Sequence, residues 1–195
     1  MLSYCKKIFS ENGIDSVIHF AAFIEVGESV KEPSKYFYNN TANAISLIHS
    51  CARAGVDKIV FSSTAAVYGE PETNSVSEDS PLRPINPYGH SKLLVEQVLQ
   101  SIAQAQVIKY VILRYFNVAG ASMTKHIGQA TPNSTHLIKI ASEAAVGKRS
   151  GMSVFGDNYD TPDGTCIRDY IHVDDLAMAH HKALKYLQTG GRAKF

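Results

Sequence analysis

Two hydrophobic rhythms alternate along the chain: short unbroken apolar runs, and longer stretches where apolar residues recur every three or four positions. The first rhythm suits strands buried on both faces, and the second suits amphipathic helices. Residues 2–12 carry the helical period and stop at Asn12-Gly13. Residues 15–22 form a compact apolar run and predict a buried parallel strand. From 34 to 54 the spacing of Phe37, Thr41, Ile45, Ile48 and Ala52 predicts one long helix, with Gly55 as its C-terminal stop. Residues 57–63 predict a second strand that runs out into hydroxyl side chains. Pro71, Pro81, Pro84 and Pro87 make 69–87 a loop.

A helix follows from Pro87 to about Gln106. Asn86 is a good N-cap, Pro87 suits the first helical position, and Leu93, Leu94, Val95, Val98 and Leu99 supply its apolar face. Residues 109–117 predict a third strand, 119–134 a Gly- and Thr-rich loop, and 135–147 a helix. A short strand is expected at 153–155, a turn at 156–164 and a brief strand at 171–173. Asp174 is expected to cap a last helix over 176–187.

Strands and helices in this alternation predict an α/β fold with parallel strands and right-handed crossovers. Ligands gather at the carboxyl ends of such strands. Here those ends fall at residues 20–22, 62–64 and 115–117, and the helix opening at Pro87 returns from the second of them. Tyr88 and Lys92 stand one turn apart on that helix. An ammonium beside a phenol favours phenolate, which would let a group with an ordinary pKa of about 10 act as a base. Composition alone yields about 0.7 such pairs at this spacing, so the pair gains its meaning from its setting. A Ser/Thr at a strand end, a phenol and an ammonium are what alcohol–carbonyl interconversion requires.

The 195 residues, 45% hydrophobic and 19% charged, carry a net charge of +1, which gives no argument for nucleic acid or an anionic membrane as partner. No apolar run reaches the roughly 18 residues of a membrane span. Cys5, Cys51 and Cys166 are widely scattered and suit the reduced thiols of a cytoplasmic protein. The histidines show no metal-ligand spacing, and Asp157, Asp160 and Asp163 fall every third residue rather than in a calcium-loop pattern. None of the 13 glycines makes the Gly-rich turn with which a dinucleotide fold usually opens. The sequence therefore reads as an internal piece of a longer protein, one expected to hold a dinucleotide weakly by itself.

Six blocks, in one order, carry a resemblance. They are His19-Phe20-Ala21-Ala22, residues 26–30, residues 61–69, Asn86-Pro87-Tyr88-Gly89-His90-Ser91-Lys92, residues 113–120, and Asp163-Gly164-Thr165 with residues 168–174. Together they resemble the UDP-hexose 4-epimerases of the extended short-chain dehydrogenase/reductase family. The resemblance implies a partial Rossmann-like doubly wound sheet with part of a small substrate-binding lobe. Residues 1–130 and 166–195 would belong to the NAD-binding domain and 131–165 to the lobe. It implies a tightly held NAD, a UDP-sugar substrate, and interconversion of UDP-glucose and UDP-galactose through a 4-keto intermediate. Tyr88 would be the base. Lys92 would bind the nicotinamide ribose and lower the Tyr88 pKa, and Thr64 would bridge to the sugar oxygen.

By the same resemblance Phe20, Ala21, Ala22, Asn40 and Phe116 join Thr64, Tyr88 and Lys92 around the cofactor. Asn117, His136, Leu137, Phe155, Arg168 and Tyr170 join Thr64 and Tyr88 around the substrate, with Arg168 on the diphosphate. Two positions depart from the family pattern: Ile24, where many members have Lys, and His136, where many have Asn. Related 4,6-dehydratases place an Asp-Glu pair after the threonine, whereas Ala65-Ala66 follow Thr64 here. Dehydration is thereby disfavoured. The resemblance also implies a homodimer formed through helices at 34–54 and 88–106. The alternatives are another NAD-dependent sugar-nucleotide epimerase, dehydratase or reductase, and a non-catalytic sugar-nucleotide-binding module.

Overall fold

The structure, a computed structural model, describes residues 2–71, 73, 75–105, 108–124, 126–132 and 134–194. In chain order the elements begin with α1 (Leu2–Glu11), β1 (Ser16–His19), α2 (Val26–Lys31), α3 (Pro33–Tyr36), a π-turn (Phe37–Ala42) and α4 (Asn43–Ala54). They continue with β2 (Lys58–Ser62), a 3-10 turn (Ala65–Val67), α5 (Pro87–Ala105), β3 (Lys109–Leu113) and β4 (Asn117–Ala119). The last are α6 (Leu137–Ala145), β5 (Tyr170–His172) and α7 (Val173–Gln188). The chain divides into two compact units, Met1–Tyr115 with Ala179–Phe195, and Phe116–Met178.

The first unit is a doubly wound α/β layer structure. Its sheet has the order β1-β2-β3 with both pairs parallel. Successive side chains of a strand point to opposite faces, so each strand feeds two cores. Val17, Ile59, Phe61, Tyr110 and Ile112 pack with Ile48 and Cys51 of α4 and with Val95 and Leu99 of α5. Ile18, Val60, Val111 and Leu113 pack on the other face against Ala183, Leu184 and Leu187 of α7. At the outer edge of β3 the Lys194 N–H donates to the Tyr110 carbonyl at 3.1 Å. The second unit holds the parallel pair β4-β5 and α6. No helix among the described residues is long and apolar enough to cross a membrane.

Several expected features form. Gly55 closes α4 in the left-handed conformation, φ 79°. The Asn86 side chain accepts from the Gly89 N–H at 2.8 Å and so caps α5 ahead of Pro87.

Other expectations are corrected. The long helix expected over 34–54 is interrupted by the π-turn, in which the Asn43 N–H reaches back to the Tyr38 carbonyl. Asn39, Asn40 and Thr41 are poor helix formers, and the widened turn lets two of them serve other partners. Asn40 donates to the Phe23 carbonyl at 2.9 Å and to Ser91 Oγ at 3.1 Å, and Thr41 donates to the Ser91 carbonyl at 2.9 Å.

The strand expected over 109–117 ends at Leu113, and Asn117 opens β4 in a different sheet. The Tyr115 carbonyl accepts from the Ala65 N–H at 2.9 Å, so it is spent on the 3-10 turn. No strand forms at 153–155, where Val154 and Phe155 stand 77% and 93% exposed. The last helix starts at Val173, and its first turn is capped by the ring of His172, whose Nδ1 accepts from the Asp174 N–H at 3.2 Å. Residues 26–31, assigned to no element from the sequence, are helical.

Gly89 shows how closely α5 meets the 3-10 turn. A Cβ there would lie 2.7 Å from the Ala66 carbonyl oxygen and 2.9 Å from Pro84 Cβ. Gly89→Ala is therefore expected to destabilise the chain by about 1–3 kcal/mol through overpacking. Urea unfolding checks this, and an unchanged midpoint would count against the tight approach.

Candidate active site

The rim of the sheet gathers Thr64, Tyr88 and Lys92. Thr64 follows β2 with extended backbone angles, φ −157° and ψ 147°, and its Oγ1 accepts from the Ala66 N–H at 3.1 Å. That bond uses the oxygen as acceptor, so the hydroxyl proton stays available, and the Thr64 hydroxyl is near enough to the Tyr88 phenol to favour its ionised form. Gly89 brings the helix end close enough for this contact.

Lys92, one turn further along α5, is only 4% exposed. Its Nζ lies 4.6 Å from the centroid of the Phe61 ring, a cation–π contact from β2. Among the described residues its ammonium makes no hydrogen bond or ion pair.

Burial sets the charge states here. Desolvation pulls Lys92 down to about 8, against which the Glu96 carboxylate one turn on pulls upward. Desolvation likewise pushes the Tyr88 phenol above the usual tyrosine value, Tyr115 adds to the rise, and the Thr64 hydroxyl opposes it. In the free chain the phenol is thus neutral at pH 7. Desolvation governs the phenol in the free chain, and Lys92 is not among the groups that shift it. His19, at the end of β1, falls to about 4 through burial and the nearby positive charge of Lys92.

Behind the rim lies a polar network that the sequence reading did not single out. Ser63 donates to Glu96 Oε1, and Arg114 holds the same carboxylate through Nε at 3.2 and 3.1 Å and through Nη2 at 2.7 Å. Arg114 also donates from Nη1 to the Tyr68 hydroxyl at 3.3 Å. Glu96 and Arg114 are both buried. One signal existed: Glu96 stands four residues after Lys92 on the apolar face of an amphipathic helix. Ser62 and Tyr115 share a further hydrogen bond at the rim. The Phe20 and Tyr115 rings flank His180 at 4.4 and 6.0 Å between centroids.

The remaining candidates divide between the units. In the first, Phe20 and Ala21 are exposed and Ala22 is half-buried just past β1. Asn40 is buried, and its amide oxygen accepts from the Phe23 N–H at 2.8 Å while its nitrogen serves Phe23 and Ser91. In the second unit, Asn117 donates from Nδ2 to the Asp169 carbonyl at 3.0 Å. His136 precedes α6, its Nδ1 within 2.8 Å of both Gln129 Nε2 and Ser134 Oγ. Phe116, Leu137, Phe155, Arg168 and Tyr170 are exposed there, and Arg168 donates to the Ile167 carbonyl at 3.0 Å. Among the described residues Arg168 forms no ion pair.

The model of the NAD dependent epimerase/dehydratase family matches residues 2–194. A UDP-glucose 4-epimerase of Azospirillum brasilense is 56% identical over 185 residues, covering 95% of this chain and 53% of that protein. The UDP-glucose 4-epimerase of Brucella ovis in complex with NAD superposes with a TM-score of 0.95 at 42% identity, covering 99% of this chain and 59% of that one. The Bifidobacterium longum UDP-glucose 4-epimerase in complex with NAD+ and UDP gives 0.92 at 40% identity, covering 100% and 59%. The chain spans about half the length of the curated relatives it matches.

His19 gives the site a measurable charge signature. Its folded pKa of about 4 lies below the ordinary 6.5, so the unfolded chain takes up the proton first as pH falls. The stability it contributes is whole above about pH 6.5 and is lost as the pH drops towards 4. NMR titration of the imidazole should give the low midpoint, and His19→Asn should flatten the stability loss across that window. A midpoint at the ordinary value would refute the buried placement of the ring beside Lys92.

Proposed function

The chain belongs to the NAD dependent epimerase/dehydratase family, and from that premise we propose that it carries the catalytic half of a UDP-hexose 4-epimerase interconverting UDP-glucose and UDP-galactose. The observation that carries this reading is the placement of the Thr64 hydroxyl where it acts on the Tyr88 phenol, with Lys92 buried one turn along the same helix. A proton donor, a titratable oxygen and a cation on neighbouring positions suit the removal and return of an alcohol proton.

The residues present fit the nicotinamide end of NAD. Lys92 has three ammonium hydrogens and, among the described residues, no hydrogen-bond acceptor for any of them, so a ribose diol would satisfy them. Phe20, Ala21 and Ala22 are the further cofactor candidates of the first unit and Phe116 that of the second, while Asn40 acts by fixing Phe23 and Ser91. NAD held there would supply the hydride acceptor and donor that the interconversion at C4 of the sugar needs.

Tyr88 takes the hydroxyl proton from the sugar as that hydride leaves. Its raised pKa in the free chain means that it becomes a base only when positive charge gathers beside it, from Lys92 and the oxidised nicotinamide. Thr64 donates to the phenolate oxygen so formed, and so steadies the charge or relays the proton.

In the second unit the exposed Arg168 guanidinium is suited to the substrate diphosphate. Asn117, His136, Leu137, Phe155 and Tyr170 are the candidates for the rest of the nucleotide sugar. On this reading residues 1–130 and 166–195 belong to the NAD-binding domain and 131–165 to the substrate lobe, with Asn117, Arg168 and Tyr170 the substrate candidates of the former. Ala65 and Ala66 beside Thr64 offer no acid–base pair for eliminating water, which supports epimerisation over dehydration. The family likeness also supports a homodimer paired on the helices at 34–54 and 88–106. Tyr38 and Leu94, 71% and 40% exposed on those segments, are apolar surfaces it could cover.

The test completes the chain with the flanking segments of the Azospirillum brasilense relative and supplies NAD and UDP-galactose. Formation of UDP-glucose is expected, and Tyr88→Phe should lower turnover by about 100-fold or more while nucleotide binding persists. Turnover unaffected by that substitution would sink Tyr88 as the base, and nucleotide binding with no turnover would favour a binding module. A dehydrated product would favour the dehydratase reading.

A further inference from the structure

The network around Glu96 lies outside the three groups that touch the reacting atoms, yet it joins every element that carries them. Tyr88, Lys92 and Glu96 stand at successive turns of α5, on one face. Ser63, which donates to Glu96, is the residue before Thr64 at the carboxyl end of β2. Arg114, which grips Glu96 with two nitrogens, follows the last residue of β3. The guanidinium carbon also lies 5.4 Å from the centroid of the Tyr68 ring, at the end of the 3-10 turn that Thr64 caps.

We propose that Glu96 is a positioning residue for the reaction: with Ser63 and Arg114 it clamps α5 to the carboxyl ends of β2 and β3, and so sets Tyr88 and Lys92 against Thr64. The proposal rests on the epimerase reading for the meaning of that geometry. A buried ion pair is a weak source of stability, because desolvation offsets most of its attraction, and its best-attested use is to fix a register. Here the register is that of a helix against a strand rim. The carboxylate has a fixed geometry because its oxygens are held by three separate donor groups, the Ser63 hydroxyl and two nitrogens of Arg114.

The same carboxylate acts on Lys92 through space. The groups around that ammonium are Glu96 on its own helix, His19 on β1 and the neutral ring of Phe61 on β2. Beyond Glu96 stand Arg114 and the phenol of Tyr110 on β3. The π-turn meets α5 through uncharged side chains, Asn40 and Thr41, and Glu28 of α2 is already paired with Lys35 of α3. Glu96 is therefore the one anion acting on Lys92 among the groups named, and it opposes the fall caused by burial.

Three variants separate the clamp from the charge. Glu96→Gln keeps the shape and removes the charge. Ser63→Ala cuts the tie to β2 alone, and the pair E96M with R114M replaces the buried ions by apolar chains, a change that commonly leaves a protein folded. In the 195-residue chain, NMR titration of Lys92 should show its midpoint of about 8 unchanged in Ser63→Ala and lowered by about one pH unit in Glu96→Gln and in the double variant. The nuclear Overhauser contact between the Thr64 methyl and the Tyr88 ring should weaken in all three.

In the completed enzyme kcat should fall about tenfold or more while KM for UDP-galactose stays within about threefold, the signature of lost alignment. The alkaline limb of the pH profile should move to lower pH in the two charge variants only. A folded double variant with the natural Lys92 midpoint, Thr64–Tyr88 contact and kcat overturns the proposal. If the natural sequence itself does not epimerise while the titration and contact move as stated, the functional reading fails and the clamp stands.

Discussion

The close seating of α5 on the carboxyl end of β2 is the constraint on which the rest of the structure depends. It is made at three levels of the helix. Gly89 lets the first turn approach the Ala66 carbonyl, Tyr88 meets Thr64, and Glu96 takes the Ser63 hydroxyl two turns later. Asn86 and Pro87 fix where the helix begins and therefore which residues reach the rim. From the opposite side the π-turn braces the same helix at Ser91. Two apolar cores, one on each face of the sheet, hold the platform on which these polar contacts form.

Seating the helix this tightly desolvates its functional groups, and the electrostatics follow. The phenol is driven towards its neutral form and the ammonium towards its own neutral form. Both effects oppose the charged states that the proposed base and its partner would need. Such a site responds strongly to an added positive charge, because the surroundings that raise the cost of ionisation also strengthen any attraction between charges. On the proposed epimerase reading the chemistry is thereby tied to the arrival of a cationic cofactor, while the chain's own residues supply the geometry.

Much of this was legible in the amino-acid order. Unbroken apolar runs located β1 and β2, the Asn86-Pro87 pair located the start of α5, and Gly55 located the end of α4, because each reflects a local rule of backbone or burial. The discrepancies have a common origin in tertiary partners. Residues 109–117 read as one strand by hydrophobicity, but the Tyr115 carbonyl is taken by Ala65 and the path breaks there. The helix over 34–54 widens because Asn40 and Thr41 answer to Phe23 and Ser91, residues remote in sequence. Val154 and Phe155 have the residue types of a strand, yet no strand pairs with them among the described residues. Glu96 showed in the sequence only as a charge on an apolar helix face: its partners come from two different strand ends, and no spacing along the chain announces them.

The most direct test is the titration of the Tyr88 phenol, followed by NMR of tyrosine labelled at Cζ, without NAD and with saturating NAD. The account predicts a midpoint above the ordinary tyrosine value in the free protein and below it once NAD is bound, with Lys92→Met abolishing most of that fall. A midpoint that stays in place when NAD binds would contradict it, since no base would then exist at neutral pH.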